Sequence, residues 1–233
     1  MAKTFMARTL AGALACSTLV IATPAQADVD RGYVEIVGSG ATITVRDLTK
    51  VGSDNDPITD IDGAAQPGER IQFVVQHKAV ATGTCRIQGI PTTDDMTTVV
   101  CDPATVVNAE LGDRRDKFVF TSRRPIDFTV DSGTGNDKVN VFVYGQVSDV
   151  SVTAGQGKDV VNVEQRQGGT VNGTLRGGGL NDRLTLKGTG FVAGDNGNDV
   201  VNVKNGRPNT VDCGGFNDRL TIDVGLDTLV NCP

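Results

Sequence analysis

Large aromatic side chains and histidine are scarce in this sequence, which has 233 residues, no Trp, two Tyr, eight Phe and one His. A core of interlocking large side chains is therefore not expected in most of the chain. One histidine is too few to complete a zinc site. A hydrolytic triad would have to use His77, and no nucleophile-elbow motif accompanies it. We therefore expect no enzymatic activity.

Basic residues are outnumbered by acidic ones. The chain contains 22 Lys and Arg against 28 Asp and Glu, which gives a formal net charge of −6. Proteins that bind nucleic acid need a surplus of cations to neutralise phosphates. The charge balance therefore argues against nucleic acid as a partner.

Residues 1–27 have the layout of a secretory signal peptide. Lys3 and Arg8 form a basic start, an apolar stretch follows over 10–23, and residues 25–27 read Ala-Gln-Ala, a cleavage site. The apolar stretch is too short to span a membrane, and no later segment approaches the roughly 18 apolar residues that a span needs. The sequence predicts a secreted, extracellular chain that begins near Asp28 and has no transmembrane segment. It does not decide whether the chain stays at the cell surface.

Four cysteines remain after removal of this segment. An even number in an oxidising compartment indicates two disulfides, for which three pairings exist. Sequence order favours Cys85–Cys101 and Cys213–Cys232.

Glycine is concentrated in the second half, where a repeat begins. Nine of the 29 glycines lie in residues 1–109 and 20 lie in the remaining 124 residues. Aligning the chain on a recurring Asp gives six similar segments, with steps of 21, 22, 23, 17 and 19 residues between them. Self-similarity at such a period is typical of a solenoid. The six segments are 112–120, 133–141, 155–163, 178–186, 195–203 and 214–222.

Each segment combines a turn with a short strand. Gly, Asn and Asp supply turn conformations, and the residues after each Asp alternate between polar and apolar, which is typical of a strand with one buried face. Weaker strands are predicted between them. Two strands per repeat describe a narrow all-β coil, a β-solenoid of about six coils over 109–233. Cys213 and Cys232 are one coil apart, and stacked strands are about 4.7–4.9 Å apart, within the roughly 4.4–6.8 Å that a disulfide requires.

Residues 28–108 form a different segment. Short strands are predicted at 33–37, 42–46, 71–76, 84–87 and 98–101, separated by polar loops that include 61–69. The segment is either a small β domain or a cap on the solenoid. The cap is favoured because terminal units of solenoids are usually atypical.

The repeat resembles the nonapeptide G-G-x-G-x-D-x-U-x of haemolysin-type (RTX-like) calcium-binding proteins, over residues 110–233. The resemblance implies a right-handed parallel β-roll in which Ca²⁺ lies between stacked turns, held by turn carbonyl groups and by the Asp carboxylates of two turns. The aspartates that match the family's metal-binding position are Asp137, Asp159, Asp182, Asp199 and Asp218, whereas Asp116 matches more poorly.

Several turns depart from the family pattern. Leu180 and Phe216 stand where the family has Gly, which forces a bulky residue towards positive φ. Asp195 replaces another Gly, and Arg114 disrupts the first copy. The best calcium site is therefore expected between the turns of Asp137 and Asp159, which contain Gly133, Gly135, Gly155 and Gly157.

The sequence thus predicts a secreted, non-enzymatic calcium-binding protein with a structural or interaction role, its further partner being an extracellular glycan or protein. Three alternatives fit the same residues. The Asp side chains could cap backbone N–H groups without any metal. The solenoid could carry an enzyme that acts on a polysaccharide, or it could be a metal-free adhesin that uses the outward residues Asn140, Asn162 and Asn202.

Overall fold

The computed structural model describes residues 33–47, 60–65, 70–75, 78–88, 96–144 and 147–232. These residues form strands and turns, and none of them belongs to a helix that could span a membrane. The predicted signal peptide and His77 lie outside the described residues. The twenty strands are β1 Tyr33–Ser39, β2 Thr42–Asp47, β3 Asp60–Ala65, β4 Ile71–Val75, β5 Lys78–Gly83, β6 Cys85–Ile87, β7 Thr97–Cys101, β8 Val106–Glu110, β9 Lys117–Ser122, β10 Asp127–Asp131, β11 Lys138–Tyr144, β12 Val147–Thr153, β13 Val160–Arg166, β14 Thr170–Gly179, β15 Arg183–Lys187, β16 Thr189–Asn196, β17 Val200–Asn202, β18 Asn209–Asp212, β19 Arg219–Thr221 and β20 Thr228–Val230.

The strands form two sheets of ten strands each, and the chain alternates between them along the repeat. The first sheet has the order β20-β18-β16-β14-β12-β10-β8-β2-β1-β5, and the second has β19-β17-β15-β13-β11-β9-β3-β4-β7-β6. From β8 and β9 onwards, each strand pairs in parallel with the equivalent strand of the next coil. This arrangement confirms the all-β, parallel solenoid that the repeat predicted.

The strands before β8 extend both sheets. β2 pairs in parallel with β8 and β3 with β9, and beyond these contacts most pairings become antiparallel. The predicted loop at 61–69 is wrong in its first half, because β3 occupies Asp60–Ala65. Its Asp, Gly and Ala residues have low strand propensity, but β4 and β9 pair with it on either side, and such context overrides propensity. β5 and β8 were also not predicted.

The core consists of columns of apolar side chains that run along the stack. Val139, Val161, Leu184 and Val201 occupy equivalent positions on neighbouring strands of the second sheet and are at most 1% exposed. Among the described residues, fully buried rings are confined to the junction with the first coils, where Phe120 packs against its neighbours. Its ring centroid lies 5.8 Å from that of Phe73, 6.2 Å from that of Phe118 and 4.9 Å from that of Phe128. Val and Leu columns replace rings elsewhere, as expected from the scarcity of aromatic residues.

Both predicted disulfides are present. Cys85–Cys101 links β6 to β7, with 3.9 Å between the Cα atoms. Cys213–Cys232 has a Cα–Cα distance of 5.0 Å and joins residues 19 apart in sequence. It therefore ties the last coil to the preceding one.

Some turns stack so closely that only glycine fits. A Cβ atom at Gly157 would lie 1.4 Å from the carbonyl oxygen of Gly135 in the preceding coil. Gly215 is also in a turn, but nothing lies within 4 Å of the place where its Cβ would be.

We predict that Gly157→Ala lowers the free energy of unfolding by more than about 3 kcal/mol, because the clash is with backbone and a rigid interior cannot absorb it. Gly215→Ala is the control and should change stability by no more than about 0.5 kcal/mol. Denaturant unfolding of the two variants makes the comparison, and equal stabilities would contradict the stacking.

Candidate functional site

The recurring aspartates form one column at the turns that lead from the first sheet into the second. Asp116, Asp137, Asp159, Asp182 and Asp199 each precede a strand of the second sheet and are between 1% and 3% exposed. Asp218 continues the column and is half-buried. The site is thus a line of carboxylates inside the corner of the solenoid.

From Asp137 onwards, one carboxylate oxygen of each aspartate in the column bridges to the preceding coil. The Oδ1 atom accepts a hydrogen bond from the backbone N–H of the preceding Asp in the column. The five donor–acceptor distances are 2.7 Å for Asp116 to Asp137, 2.7 Å for Asp137 to Asp159, 2.8 Å for Asp159 to Asp182, 2.8 Å for Asp182 to Asp199 and 2.8 Å for Asp199 to Asp218. Asp116 was expected to match poorly, yet it lies in the same column.

The asparagines that precede these aspartates bridge in the opposite direction. The Oδ1 atom of Asn136 accepts a hydrogen bond from the backbone N–H of Lys158 in the next coil, at 2.8 Å. Asn181 and Asn198 do the same for the next coil, at 2.9 and 3.0 Å. Each Asn-Asp pair therefore binds the coils on both sides. The sequence contains this signal as a repeated Asn-Asp dipeptide, which by itself predicts only a turn.

In five of these aspartates the second carboxylate oxygen, Oδ2, has no such partner. Within the described part of the chain, these five Oδ2 atoms are buried and make no hydrogen bond. They belong to Asp137, Asp159, Asp182, Asp199 and Asp218. A buried polar atom without a partner costs about 1–3 kcal/mol, and more when it carries charge. These oxygens therefore need a proton, a water molecule or a cation.

Burial and mutual repulsion raise the pKa of several of these carboxyl groups. Desolvation is the main cause at Asp137, whose pKa rises to about 7 although the N–H of Asp116 opposes the change, and the charge of Asp159 adds to it. The pKa of Asp182 also rises to about 7 by desolvation, reinforced by the charges of Asp159 and Asp199. Desolvation likewise raises the pKa of Asp159 and of Asp199.

The structure brings together the pair that the sequence analysis ranked first. Asp137 and Asp159 lie on adjacent coils, joined by the hydrogen bond between the N–H of Asp137 and Oδ1 of Asp159. The carbonyl oxygens of Gly133 and Gly155 each accept an N–H of the next turn, at 2.9 and 2.8 Å. The carbonyl oxygen of Gly135 faces Gly157 in the next coil.

Two other turns bring a carboxylate oxygen and a carbonyl oxygen close beside a glycine. A Cβ atom at Gly177 would lie 2.6 Å from the carbonyl oxygen of Gly194 and 2.7 Å from Oδ2 of Asp182. A Cβ at Gly194 would lie 2.7 Å from Oδ2 of Asp199 and 2.8 Å from the carbonyl oxygen of Cys213. Because neither glycine has a side chain, one carboxylate oxygen and one carbonyl oxygen, both of them acceptors, converge beside each glycine.

The equivalent positions in the two preceding coils are filled. Ser132 stands five residues before Asp137, is fully buried, and donates its hydroxyl hydrogen to the carbonyl oxygen of Ala154 at 2.9 Å. Ala154 stands five residues before Asp159 and is fully buried. Only Asp182 and Asp199 therefore have a glycine at this position, in turns that depart from the family pattern.

The turn positions that depart from the family pattern, among them Leu180 and Phe216 where strain was expected, adopt positive φ. The φ angles are 82° at Arg114, 70° at Leu180, 65° at Asp195 and 78° at Phe216. Leu180 and Phe216 point outwards, with 58% and 68% of their surface exposed. The bulky side chains therefore avoid the interior of the turn.

The proposed outward asparagine column is interrupted. Asn140 and Asn162 are neighbours on β11 and β13, but Thr185 of β15 separates Asn162 from Asn202 of β17. The amide Nδ2 of Asn162 donates to Oε1 of Glu164 at 3.1 Å. The asparagines therefore do not form a continuous surface.

Comparisons with protein-family models, with curated proteins and with solved structures found no match to the chain. No group of three or more His, Cys, Asp or Glu side chains among the described residues is close enough to hold a metal by itself. A cation in this column would therefore need carbonyl oxygens as well as carboxylates. The turns at Gly177 and Gly194 supply both kinds of oxygen.

The raised pKa values make the stability of the metal-free protein depend on pH. An aspartate with a folded-state pKa near 7 and an unfolded value near 4 binds its proton more tightly when folded, so the stabilisation is complete below about pH 4 and is lost as pH rises through 7. Each such group contributes at most about 1.4 kcal/mol per pH unit across this window. In chelator, denaturant unfolding should therefore show stability falling from about pH 5 to about pH 7.5. Stability that rises over the same interval would contradict the arrangement.

Proposed function

We propose that the protein is a secreted calcium-binding repeat protein in which Ca²⁺ stiffens the stacked coils, and that its role is structural or that of an interaction module. The observation that carries the proposal is the column of buried Oδ2 atoms without hydrogen-bond partners. The resemblance of the repeat to haemolysin-type sequences supports the same chemistry.

Electrostatics favours a cation over the alternatives at neutral pH. No ion pair between described residues involves Asp137, Asp159, Asp182, Asp199 or Asp218. Stacked carboxylates in a desolvated corner cannot all be ionised without a counter-charge. The metal-free alternative accounts for the Oδ1 atoms, which accept backbone N–H groups, but it requires the Oδ2 atoms to be protonated. A divalent cation allows the same column to be ionised.

The chemistry of the donors favours calcium. All the candidate ligands are carboxylate or carbonyl oxygens, which Ca²⁺ accepts in flexible geometry with six to eight ligands. Asp182 with the carbonyl of Gly194, and Asp199 with the carbonyl of Cys213, are the best-placed residues to hold it. Asp137 and Asp159 form the next candidate pair. Magnesium fits less well because it demands a near-octahedral shell and retains water.

Calcium binding at these sites would be coupled to folding. The carbonyl and the carboxylate of each candidate site belong to different coils, so the site exists only when the coils are stacked. At a Kd of about 0.1 mM, roughly millimolar Ca²⁺ stabilises the fold by about 1.4 kcal/mol per site. For a chain of this size, that corresponds to a rise in Tm of about 3–6 °C per site.

An extracellular setting is consistent with this proposal. Two disulfides are present, and they persist mainly in oxidising compartments. Calcium at the concentration that extracellular modules require is found there. The signal-peptide layout of residues 1–27 points to the same place.

The variant Asp182→Asn distinguishes calcium binding from metal-free capping of backbone N–H groups. The asparagine retains an oxygen that can accept the N–H of Asp159, and it turns an NH₂ donor towards the carbonyl of Gly194. In chelator at about pH 8, we predict that the variant is more stable than the wild type by about 1 kcal/mol or more, because two facing acceptors become a hydrogen bond. In millimolar Ca²⁺ the order should reverse. Thermal or denaturant unfolding measures both conditions.

Asp127→Asn is the matched control. Oδ1 of Asp127 also accepts a backbone N–H from the next coil, that of Asp149 at 3.0 Å, but its side chain is exposed on the outer surface. This variant should respond to Ca²⁺ as the wild type does. A variant at Asp182 that is more stable than the wild type with and without Ca²⁺ would favour metal-free capping and refute the proposal.

A further inference from the structure

The outer face of the first sheet has a groove whose lining is independent of the aspartate column. It is open, has a volume of about 540 Å³ and crosses the strands β10, β12, β14, β16 and β18. We propose that this groove binds an extended, uncharged oligosaccharide, with one sugar unit for roughly each strand that the groove crosses.

A column of short polar side chains runs along the groove. Thr129, Ser151 and Thr174 occupy equivalent positions on adjacent strands, and Phe191 and Thr210 continue the same column. Among the described residues, the hydroxyl groups of Thr129, Ser151 and Thr174 have no hydrogen-bond partner. They are therefore available to a ligand that both donates and accepts hydrogen bonds, as sugar hydroxyls do.

A second column beside the first is held in place by its own hydrogen bonds. Asn172 Nδ2 donates to Oδ1 of Asp149 at 2.8 Å, and Oδ1 of Asp127 accepts the N–H of Asp149 at 3.0 Å. The hydroxyl of Thr189 donates to Oδ1 of Asn172 at 3.2 Å. These contacts fix the side chains but leave the Oδ2 atoms of both aspartates as acceptors. A preorganised row of acceptors reduces the entropic cost of binding a polar ligand.

Two glycines contribute only backbone to the lining of the groove. Gly173 and Gly190 are neighbours on β14 and β16, and Leu186 of the second sheet fills the space inside Gly173, with its Cδ1 atom 2.4 Å from where a Cβ would lie. Phe191 stands near one end of the groove, and the other aromatic residue of the lining, Phe128, is buried. The guanidinium carbon of Arg176, which is paired with Asp195, lies 5.6 Å from the centroid of the Phe191 ring. The rest of this half-buried ring offers apolar surface against which the C–H face of a sugar ring can pack.

Charge and length define the class of ligand. The described lining contains the carboxylates of Asp127 and Asp149 and no cationic side chain, and the whole chain has a net charge of −6. An acidic polysaccharide or a nucleic acid would be repelled. Strands about 4.8 Å apart make five strands span about 19 Å, which is long enough for several sugar units in an extended chain. These features favour a neutral glycan over a compact metabolite.

The test uses the full mature chain and calorimetric titration with neutral gluco-, xylo- and chito-oligosaccharides of increasing length, together with an acidic galacturonate series. We expect at least one neutral series to bind, with affinity that increases with length until the groove is filled. Phe191→Ala should weaken that binding about five- to tenfold, the range of an aromatic packing contact. Asp149→Asn keeps the hydrogen bond with Asn172 but removes one negative charge. It should therefore weaken the repulsion between the groove and the acidic oligosaccharides.

Phe142→Ala is the control, because Phe142 is a half-buried ring on the outer face of the second sheet, packed 4.1 Å from the guanidinium carbon of Arg166. It should not change glycan binding. Thermal melting of each variant excludes loss of fold as the cause. No binding by any neutral series, equal losses for Phe191→Ala and Phe142→Ala, or tighter binding of the acidic series would each overturn the proposal. Running every titration below the Tm in both Ca²⁺ and chelator keeps this result separate from that of the calcium proposal.

Discussion

The hydrogen bond between a buried aspartate and the backbone of the preceding coil is the contact on which this architecture depends. It repeats five times along one corner, from the N–H of Asp116 to Oδ1 of Asp218. A backbone N–H at the corner has no strand partner, and the carboxylate satisfies it. The same bond fixes the register of each coil against its neighbour, so the apolar columns of the two sheets align. A chain with few large side chains can in this way form a continuous core.

The same contact creates the chemistry of the corner. Each carboxylate that accepts an N–H with one oxygen places the other oxygen inside the turn, where water is scarce. At Asp137 and Asp159 the adjacent position holds Ser132 and Ala154, whereas at Asp182 it holds Gly177. Under the proposed function, a structural column and a cation site are two uses of one arrangement, and the residue five positions before the aspartate decides between them. A turn with an imperfect repeat pattern would then be the better ligand set.

The sequence predicted the features that depend on local pattern. Alternating apolar residues after each aspartate predicted the strands of the second sheet, and the spacing of Cys213 and Cys232 predicted their disulfide. Features that depend on contacts between distant segments were not predicted. β3 forms from residues of low strand propensity because it has neighbouring strands on both sides. The pair of oxygen atoms beside Gly177 depends on the carbonyl group of Gly194 in the next coil. The hydroxyl column of the groove likewise depends on the register between the weaker strands.

Two candidate binding sites thus lie on one scaffold, an inner corner of carboxylates and an outer groove of hydroxyl groups. The claim that underlies the account is that the column aspartates carry protons in the absence of a metal and share a cation in its presence. Carbon-13 NMR of the aspartate carboxyl groups, titrated with and without Ca²⁺, tests it most directly. We predict that Asp137 and Asp182 titrate near pH 7 in chelator, in line with their raised pKa values. In millimolar Ca²⁺, Asp182 should remain ionised to a much lower pH. A titration of Asp182 that is the same in both conditions would contradict the account.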